Sequence, residues 1–479
     1  RRQRQMCIRD RSTMVGTSAE KERYETVNAS KEGLVNNDAN QQIINAATKN
    51  PAASGSVSYH TMNSYFGRVF YSYADKYMIT ANIRWDGSSN FADKHRWGVF
   101  PSVSGGWNFR EESFIKDVVG DWFSQGKFRA AWGEIGNQNI SSGAYLTRYG
   151  NSTYYLLGNS MTPWLSGGRT NVGNPDLRWE TTRQLDFGLD LAFFNSALKF
   201  NIDYFDRKTS DMLVQVPMPA AIGLPNTPWS NAGSVKNRGF EFVLDYHGKI
   251  GNDFSYNIAG NISTYKNKVL SLGGGTNIPG KTHLGNQVNT MIEPGKPIGY
   301  FYGYKMDGVF QTQEEINNYR GGPDNTIIMP TAEPGDLKFV DLNGDGKLGE
   351  EDRTMIGNPH PDFTFGLTLS GEYKGFDLSM FFQGSVGNDI LNILKYDIYS
   401  GTGWYNAPKD IFDKFWTGPG STNENFAISA NSRDNLTMSE WYIENGSYVR
   451  LKNVTLGYTF PKQWVQKFSG IFRYKFSYL

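Results

Sequence analysis

The sequence predicts an all-β chain, a transmembrane antiparallel β-barrel with long extracellular loops, on three observations. Stretches of seven to ten residues alternate apolar and polar side chains, as a strand does with one face to an apolar medium and one to water. The connections between these stretches alternate between tight and long, the pattern of a barrel with short turns at one rim and loops at the other. Composition agrees: only 38% of residues are hydrophobic and mean hydropathy is -0.52, yet aromatics reach 15% and Gly numbers 53. A disordered chain lacks such aromatics, and a bundle of membrane helices is far more apolar.

Taken in order, residues 1–12 (Arg1-Arg-Gln-Arg-Gln-Met-Cys-Ile-Arg-Asp-Arg-Ser12) read as a non-native leader, basic and without the apolar centre of a secretory signal. Residues 13–63 are polar, with Asn-Asn, Gln-Gln and Ala-Ala-Thr, and read as a loop. Barrel wall is expected over 64–479. Tyr77, Ile79, Ala81, Ile83 and Trp85 alternate with Met78, Thr80, Asn82, Arg84 and Asp86. The same period of two recurs at Leu185 to Phe193 and Leu198 to Tyr204, joined by the hairpin-sized link Asn195-Ser196. It returns at Phe240 to Tyr246, Phe254 to Ile262, Phe363 to Leu369 and Phe376 to Phe382, within roughly a dozen such segments, a barrel-like number. Ala74-Asp75-Lys76 and Tyr373-Lys374-Gly375 are further tight links, whereas 88–96, 138–178 and 270–297 are long and rich in Gly, Asn, Ser and Thr. Gln313 to Tyr319 and Lys409 to Trp416 carry helical spacing and are expected as short loop helices.

Several function classes receive no support. Lys and Arg number 48 against 47 Asp and Glu, a formal charge of +1, so nothing in the bulk charge points to nucleic acid. Cys7 is the single cysteine, which leaves no disulfide framework within the chain. No run of about 18 apolar residues marks a membrane helix, and a barrel needs none, since its spanning unit is a strand of about 9–11 residues. His60, His95, His247, His283 and His360 are dispersed without metal-ligand spacing, and no Gly-x-Ser-x-Gly elbow occurs, so no enzyme activity is expected.

Six blocks, in order, resemble the SusC/RagA family of TonB-linked outer-membrane proteins. They are Phe100-Pro-Ser-Val-Ser-Gly-Gly-Trp107; Asn174-Pro-Asp-Leu-Arg-Trp-Glu-Thr-Thr182 with Leu185-Asp-Phe-Gly-Leu-Asp190; Asn237-Arg-Gly-Phe-Glu-Phe242; Gly335-Asp-Leu-Lys-Phe-Val-Asp-Leu-Asn-Gly-Asp-Gly346; Ile356-Gly-Asn-Pro359 with Pro361-Asp-Phe-Thr-Phe-Gly366; and Tyr448-Val-Arg-Leu-Lys-Asn-Val-Thr-Leu-Gly-Tyr-Thr-Phe-Pro461. The resemblance implies part of a barrel of about 22 strands, of the TonB-dependent transporter type. It implies import of oligosaccharides or peptides across the outer membrane of a Gram-negative cell, powered by the TonB complex. A SusD-like lipoprotein is expected to cap the extracellular mouth, and outer-membrane lipids to surround the wall. No plug, TonB-contacting segment or signal peptide precedes the strands and Phe476-Ser-Tyr-Leu479 stops short of the last ones, so the chain is expected to form an incomplete barrel. The competing expectation from the residues is a secreted β-sandwich, a glycan-binding or adhesin module.

Two candidate sites emerge. Counting Asp341 as position 1, Asp341, Asn343 and Asp345 fall at 1, 3 and 5, Gly346 at 6, the Lys347 carbonyl at 7 and Asp352 at 12, the spacing of oxygen ligands in an EF-hand loop. That spacing suggests a structural Ca²⁺ over 341–352, although EF-hands prefer Glu at the last position. An Asx/Gly turn that binds nothing explains the same residues. The loop aromatics Trp164, Tyr154, Tyr155, Trp229, Trp404 and Tyr405 suit stacking on sugar rings, and loop packing or an interfacial girdle suits them as well. Arg84, Asp186, Asp190, Lys199, Asn201 and Asp203 are expected on the wall's polar face, where they suit contact with a polar solute and a solvated interior accounts for them as well.

Overall fold

A computed structural model describes residues 9–479 apart from 35, 37, 39, 41, 158–161, 216–226, 274–276, 281–286, 400–405, 429–433, 461–474 and 479. Thirteen strands form one sheet whose order follows the chain. They are β1 (Arg9–Glu32), β2 (Lys49–Tyr73), β3 (Tyr77–Ser88), β4 (Trp97–Trp107), β5 (Phe123–Asn137), β6 (Glu180–Phe193), β7 (Leu198–Ser210), β8 (Ser234–Ile250), β9 (Phe254–Ser271), β10 (Phe363–Tyr373), β11 (Phe376–Val386), β12 (Tyr448–Tyr458) and β13 (Lys475–Tyr478). A meander of this kind places successive connections at alternate ends. The turns after β2, β6, β8 and β10 are tight and those after β3, β5, β7, β9 and β11 are long, the predicted sidedness, from which the longer connection 108–122 after β4 departs. The tight turns adopt the left-handed backbone that matches strand twist: φ is 52° at Ala74 and 55° at Asp75, 55° at Asn195 and 64° at Ser196, and 47° at Lys374 followed by 92° at Gly375.

The chain divides into two compact units, residues 1–105, 131–183 and 209–232, and residues 106–130, 184–208 and 233–479. In the first, β1, β2 and β3 pair antiparallel, with Tyr73 opposite both Arg9 and Tyr77. A small core of Phe91, Phe100, Ile140, Leu177, Trp179 and Leu213 lies under its connections. In the second, β8 to β12 pair antiparallel through long registers, from Ile250 opposite Phe254 to Phe376 opposite Tyr458. Its main core sits in the two longest connections rather than in the sheet.

The expected polar loop over 13–63 is instead most of a two-stranded ladder. β1 and β2 stay in register from Arg9 opposite Tyr73 to Ser30 opposite Ala52, and Arg9 to Ser12, assigned above to a leader, are its first rungs. Nearly every β1 side chain is exposed, so neither face was marked by apolar residues and no period of two was readable. Backbone pairing, which leaves no imprint on side-chain type, carries the ladder. Gln313–Asn318 forms the predicted helix, begun by Thr312, whose Oγ1 accepts from the Glu315 N–H at 3.2 Å. The second predicted helix shortens to Ile411–Lys414.

Candidate functional site

The wall has two chemically distinct faces. On β2 and β3, Tyr65, Val69, Ile79, Ile83 and Trp85 are about half exposed, a large apolar surface given to the surroundings. In the second unit, β8 to β12 likewise expose Phe240, Leu244, Ile262, Phe376, Leu378 and Leu456. Such a surface is unfavourable in water and natural in lipid. Aromatics bound it: Tyr73 and Tyr77 flank a tight turn, and Tyr65 stacks on Trp97 at 6.0 Å with Trp85 beside it at 6.4 Å. From Tyr73 to Tyr65 is about 26 Å along the strand at about 3.3 Å per residue, the scale of the apolar band of an outer-membrane barrel.

The opposite face is polar and internally paired. Arg129 on β5 forks to Asp190 on β6, with both nitrogen–oxygen distances 2.8 Å, and reaches Asp203 on β7 at 2.8 Å. Asn201 donates to Asp190 at 3.1 Å, and Gln184 to Asp186 at 2.8 Å. In the first unit Arg84 pairs with Asp86 at 2.7 Å and donates to Ser64 at 3.0 Å. Four of the residues expected on the polar face, Arg84, Asp186, Asp190 and Asp203, therefore satisfy their charges or acceptors within the wall, and Arg129, which no motif marked, organises two of them. The arrangement pairs the charges of this face with one another.

The connections 272–362 and 387–447 fold together into a single body. Phe310, Leu337 and Phe339 from the first and Phe426, Met438 and Tyr442 from the second are almost wholly buried against one another. Trp441 packs on Phe426 at 4.9 Å and Tyr442 at 4.9 Å, and donates from Nε1 to Asn425 at 3.0 Å. Polar groups stitch the two connections: the Leu337 N–H donates to Asn435 at 2.7 Å, Met306 N–H to Glu440 at 3.0 Å, Met438 N–H to Gln287 at 2.7 Å, and Trp416 Nε1 to Gln311 at 3.1 Å. Burial pushes the Tyr442 phenol far above its ordinary range, so it stays a neutral donor to the Leu436 carbonyl at 3.1 Å. Sequence reasoning missed this body because its aromatics, such as Tyr300-Phe-Tyr-Gly-Tyr304, follow neither strand nor helix period. The clustering of Phe415-Trp416 and Trp441-Tyr442 was the available signal.

The 341–352 loop lies in this body. Asp341 accepts from the N–H groups of Gly344 at 2.7 Å and Gly346 at 2.8 Å, Asn343 from Asp345 at 2.8 Å, and Asp345 from Lys347 at 2.9 Å. These are Asx-turn contacts, and Gly344 and Gly346 supply the positive φ they need. Asp352 is fully buried and accepts from Leu342 at 2.9 Å, Asn343 at 3.2 Å and Gly349 at 2.7 Å. Both its oxygens thus close the loop on itself. Among the described residues no group of three His, Cys, Asp or Glu side chains is placed to hold a metal ion; the loop's donor set also counts Asn343 and the Lys347 carbonyl.

Of the aromatics suggested for sugar stacking, the structure describes the surroundings of Trp229 and the backbone register of three others. Trp229 packs against the core of the first unit, and its carbonyl accepts from Asn174 at 3.1 Å, the loop-packing alternative. Tyr155 and Trp164 are register partners in the hairpin Arg148–Leu157 with Thr162–Asn171, and Tyr154 lies opposite Leu165. Trp404 and Tyr405 lie outside the described residues.

The family profile described as TonB dependent receptor-like, beta-barrel matches residues 13–473. The TonB-dependent receptor P3 of Formosa agariphila is 34% identical over 466 residues, covering 95% of this chain and 44% of that protein. The TonB-dependent receptor SusC of Bacteroides thetaiotaomicron is 31% identical over 426 residues, covering 86% and 39% respectively. Among solved structures, the RagAB peptide transporter superposes with a TM-score of 0.76 at 23% identity, over 95% of this chain and 48% of that one, a likeness of fold. The chain spans less than half the length of each of these relatives. Sheet order, the two-faced wall and the profile together exclude the secreted-sandwich alternative, and the chain belongs to the TonB-dependent receptor β-barrel family of the Gram-negative outer membrane, with SusC/RagA-type relatives.

Proposed function

We propose that this chain is the conduit wall and outer loops of an importer that carries oligosaccharides or peptides across the outer membrane, with energy supplied through TonB. The observation that carries the reading is the two-faced sheet: apolar side chains half exposed on one side, ion-paired polar groups on the other, and long connections at one rim. A polar solute needs such a lining and lipid needs such an exterior. The body built from 272–362 and 387–447 supplies a stiff surface at the long-loop rim for a SusD-like lipoprotein lid. Relatives named as receptors and a structural neighbour titled a peptide transporter support the class, and leave oligosaccharide and peptide both open.

Uptake of radiolabelled oligosaccharides and peptides by cells with and without the full-length gene tests the proposal. The expected result is loss of uptake of one class, restored by the gene and abolished when a protonophore collapses the energy source. Unchanged uptake of both classes in the deletion strain counts against it. Ca²⁺ on the 341–352 loop is a lesser part of the proposal, supported by ligand spacing, and its role is to stiffen a turn already closed by Asp352. A melting temperature unmoved by EDTA, in the parent and in Asp345→Ala alike, would remove the cation.

A further inference from the structure

We infer that the lipid-facing side of β8 to β11 holds a phospholipid acyl chain in grooves made by absent side chains. The inference rests on the apolar face meeting lipid, and adds that one part of that face is not smooth. Cross-strand register gives the row Gly248, Tyr256, Gly371 and Leu378 on neighbouring strands. The Tyr256 ring leans over Gly248, where a Cβ would meet it at 2.2 Å, and its hydroxyl turns to Tyr246 at 3.5 Å. Over Gly371 only the edge of the Phe254 ring approaches, 3.3 Å from where a Cβ would stand, and the groove opens beside it. Tyr256 and Leu378 stand two strand spacings apart, about 10 Å, which leaves a gap about one hydrocarbon chain wide. The groove measures about 520 Å³, and Phe254, Tyr373 and Phe376 close it toward the tight turn.

A second groove of about 500 Å³ opens over Gly260, between Leu244 and Leu367, on the same face of the same strand pair. Gly260 lies four residues along β9 from Tyr256, about 13 Å, and Ile258 with its register partner Leu369 stands between the two grooves, so each takes its own length of chain. The tight turns mark the periplasmic rim, where the inner leaflet supplies phospholipid. At that rim Lys374 sits 3.7 Å from Asp253 with both side chains more than half exposed, a loose pair that a lipid phosphate can join. Hydrophobicity alone gives no preference here, because a lipid tail is as apolar in the bilayer as in the groove. The preference arises from packing against a shaped wall, and is therefore modest.

The test is photolabelling of the full-length protein in vesicles of phosphatidylethanolamine and phosphatidylglycerol that contain a phospholipid with a diazirine in its acyl chain. Labelled peptides from 254–262 and 363–380 are expected to exceed those from 65–85, the apolar stretch of the first unit, by about threefold, the scale of a packing preference. Gly371→Leu is expected to bring labelling there down to the level of 65–85 while heat-modifiable gel migration stays native. The wild-type distribution alone decides if that variant does not fold. Even labelling over the whole face overturns the groove and leaves the lipid-facing reading intact. Absence of label from the entire face overturns that reading and the groove with it. Preferential labelling of these peptides by a diazirine lipid A probe overturns the phospholipid assignment.

Discussion

Replacing Trp441 by Ala is expected to unfold the body formed by 272–362 and 387–447 while leaving the barrel wall in place. The indole is 6% exposed and sits at the centre of an aromatic cluster, 4.9 Å from Phe426, 4.9 Å from Tyr442, 6.1 Å from Tyr399 and 6.3 Å from Phe415. Lys395 covers its face at 5.1 Å and donates to its backbone carbonyl at 2.7 Å. Truncation removes the packing, leaves a cavity that rigid neighbours do not fill, and strands the Asn425 oxygen. The cost is about 3–5 kcal/mol, a large share of what a body of this size has to lose. Trp441→Phe keeps most of the ring contacts and is expected to cost about half as much. The loss is local because the wall is held by its own ladder: β11 and β12 stay paired from Phe376 opposite Tyr458 to Ser385 opposite Tyr448 whatever happens beyond them.

Limited trypsin digestion of the purified receptor reads the body, and heat-modifiable migration on a gel reads the wall. Fast cleavage within 272–362 and 387–447 with native migration is the expected pair of results. Unchanged cleavage in Trp441→Ala would show that the two connections do not depend on a common core. If the body is also the lid's platform, the variant loses lipoprotein capture along with protease resistance.

Strands were legible where one face met an apolar medium and the other did not. Tyr77, Ile79, Ile83 and Trp85 against Thr80, Asn82 and Asp86 declare β3 without any structure, because burial of one face forces a period of two. β1 has no such asymmetry: Thr17-Ser-Ala-Glu-Lys-Glu-Arg-Tyr24 is exposed on both sides, and pairing through backbone groups left nothing to read. The loop body was hidden for the opposite reason. Its contacts join Gln311 to Trp416 and Asp336 to Asn435, about a hundred positions apart, and no local pattern encodes a partner at that distance. Chemistry was read more reliably than geometry. Asp190 and Asp203 were placed on the polar face from alternation alone, but Arg129, which neutralises both, sits in a strand whose Arg gave no motif. Trp229 looked like a ligand platform by type, and its packing against the core of the first unit supplies the plainer account.

Asp352→Ala is expected to produce the other large effect, and to separate two explanations of the same loop. Its carboxylate is wholly buried and accepts from three N–H groups, those of Leu342, Asn343 and Gly349. Removing it leaves all three without an acceptor and costs about 3–5 kcal/mol, since bonds to a charged acceptor contribute about 1.5–3 kcal/mol each and are not additive. Asp352→Asn keeps one acceptor oxygen but turns an amide toward the remaining donors, so an intermediate loss of about 2 kcal/mol follows. The loop leads directly into Arg353–Gly357, which pairs with Tyr300–Tyr304 in the body, so the damage spreads to that core and is read by the same trypsin digestion. Running the series in Ca²⁺ and in EDTA assigns the cause. Hydrogen bonding by Asp352 acts in both media, whereas ligation acts only in Ca²⁺. A penalty for Asp352→Ala that persists undiminished in EDTA means that the carboxylate closes the loop by itself. A penalty that disappears in EDTA means that Asp352 acts through a cation, and that the N–H contacts are a consequence of the loop's shape rather than its cause.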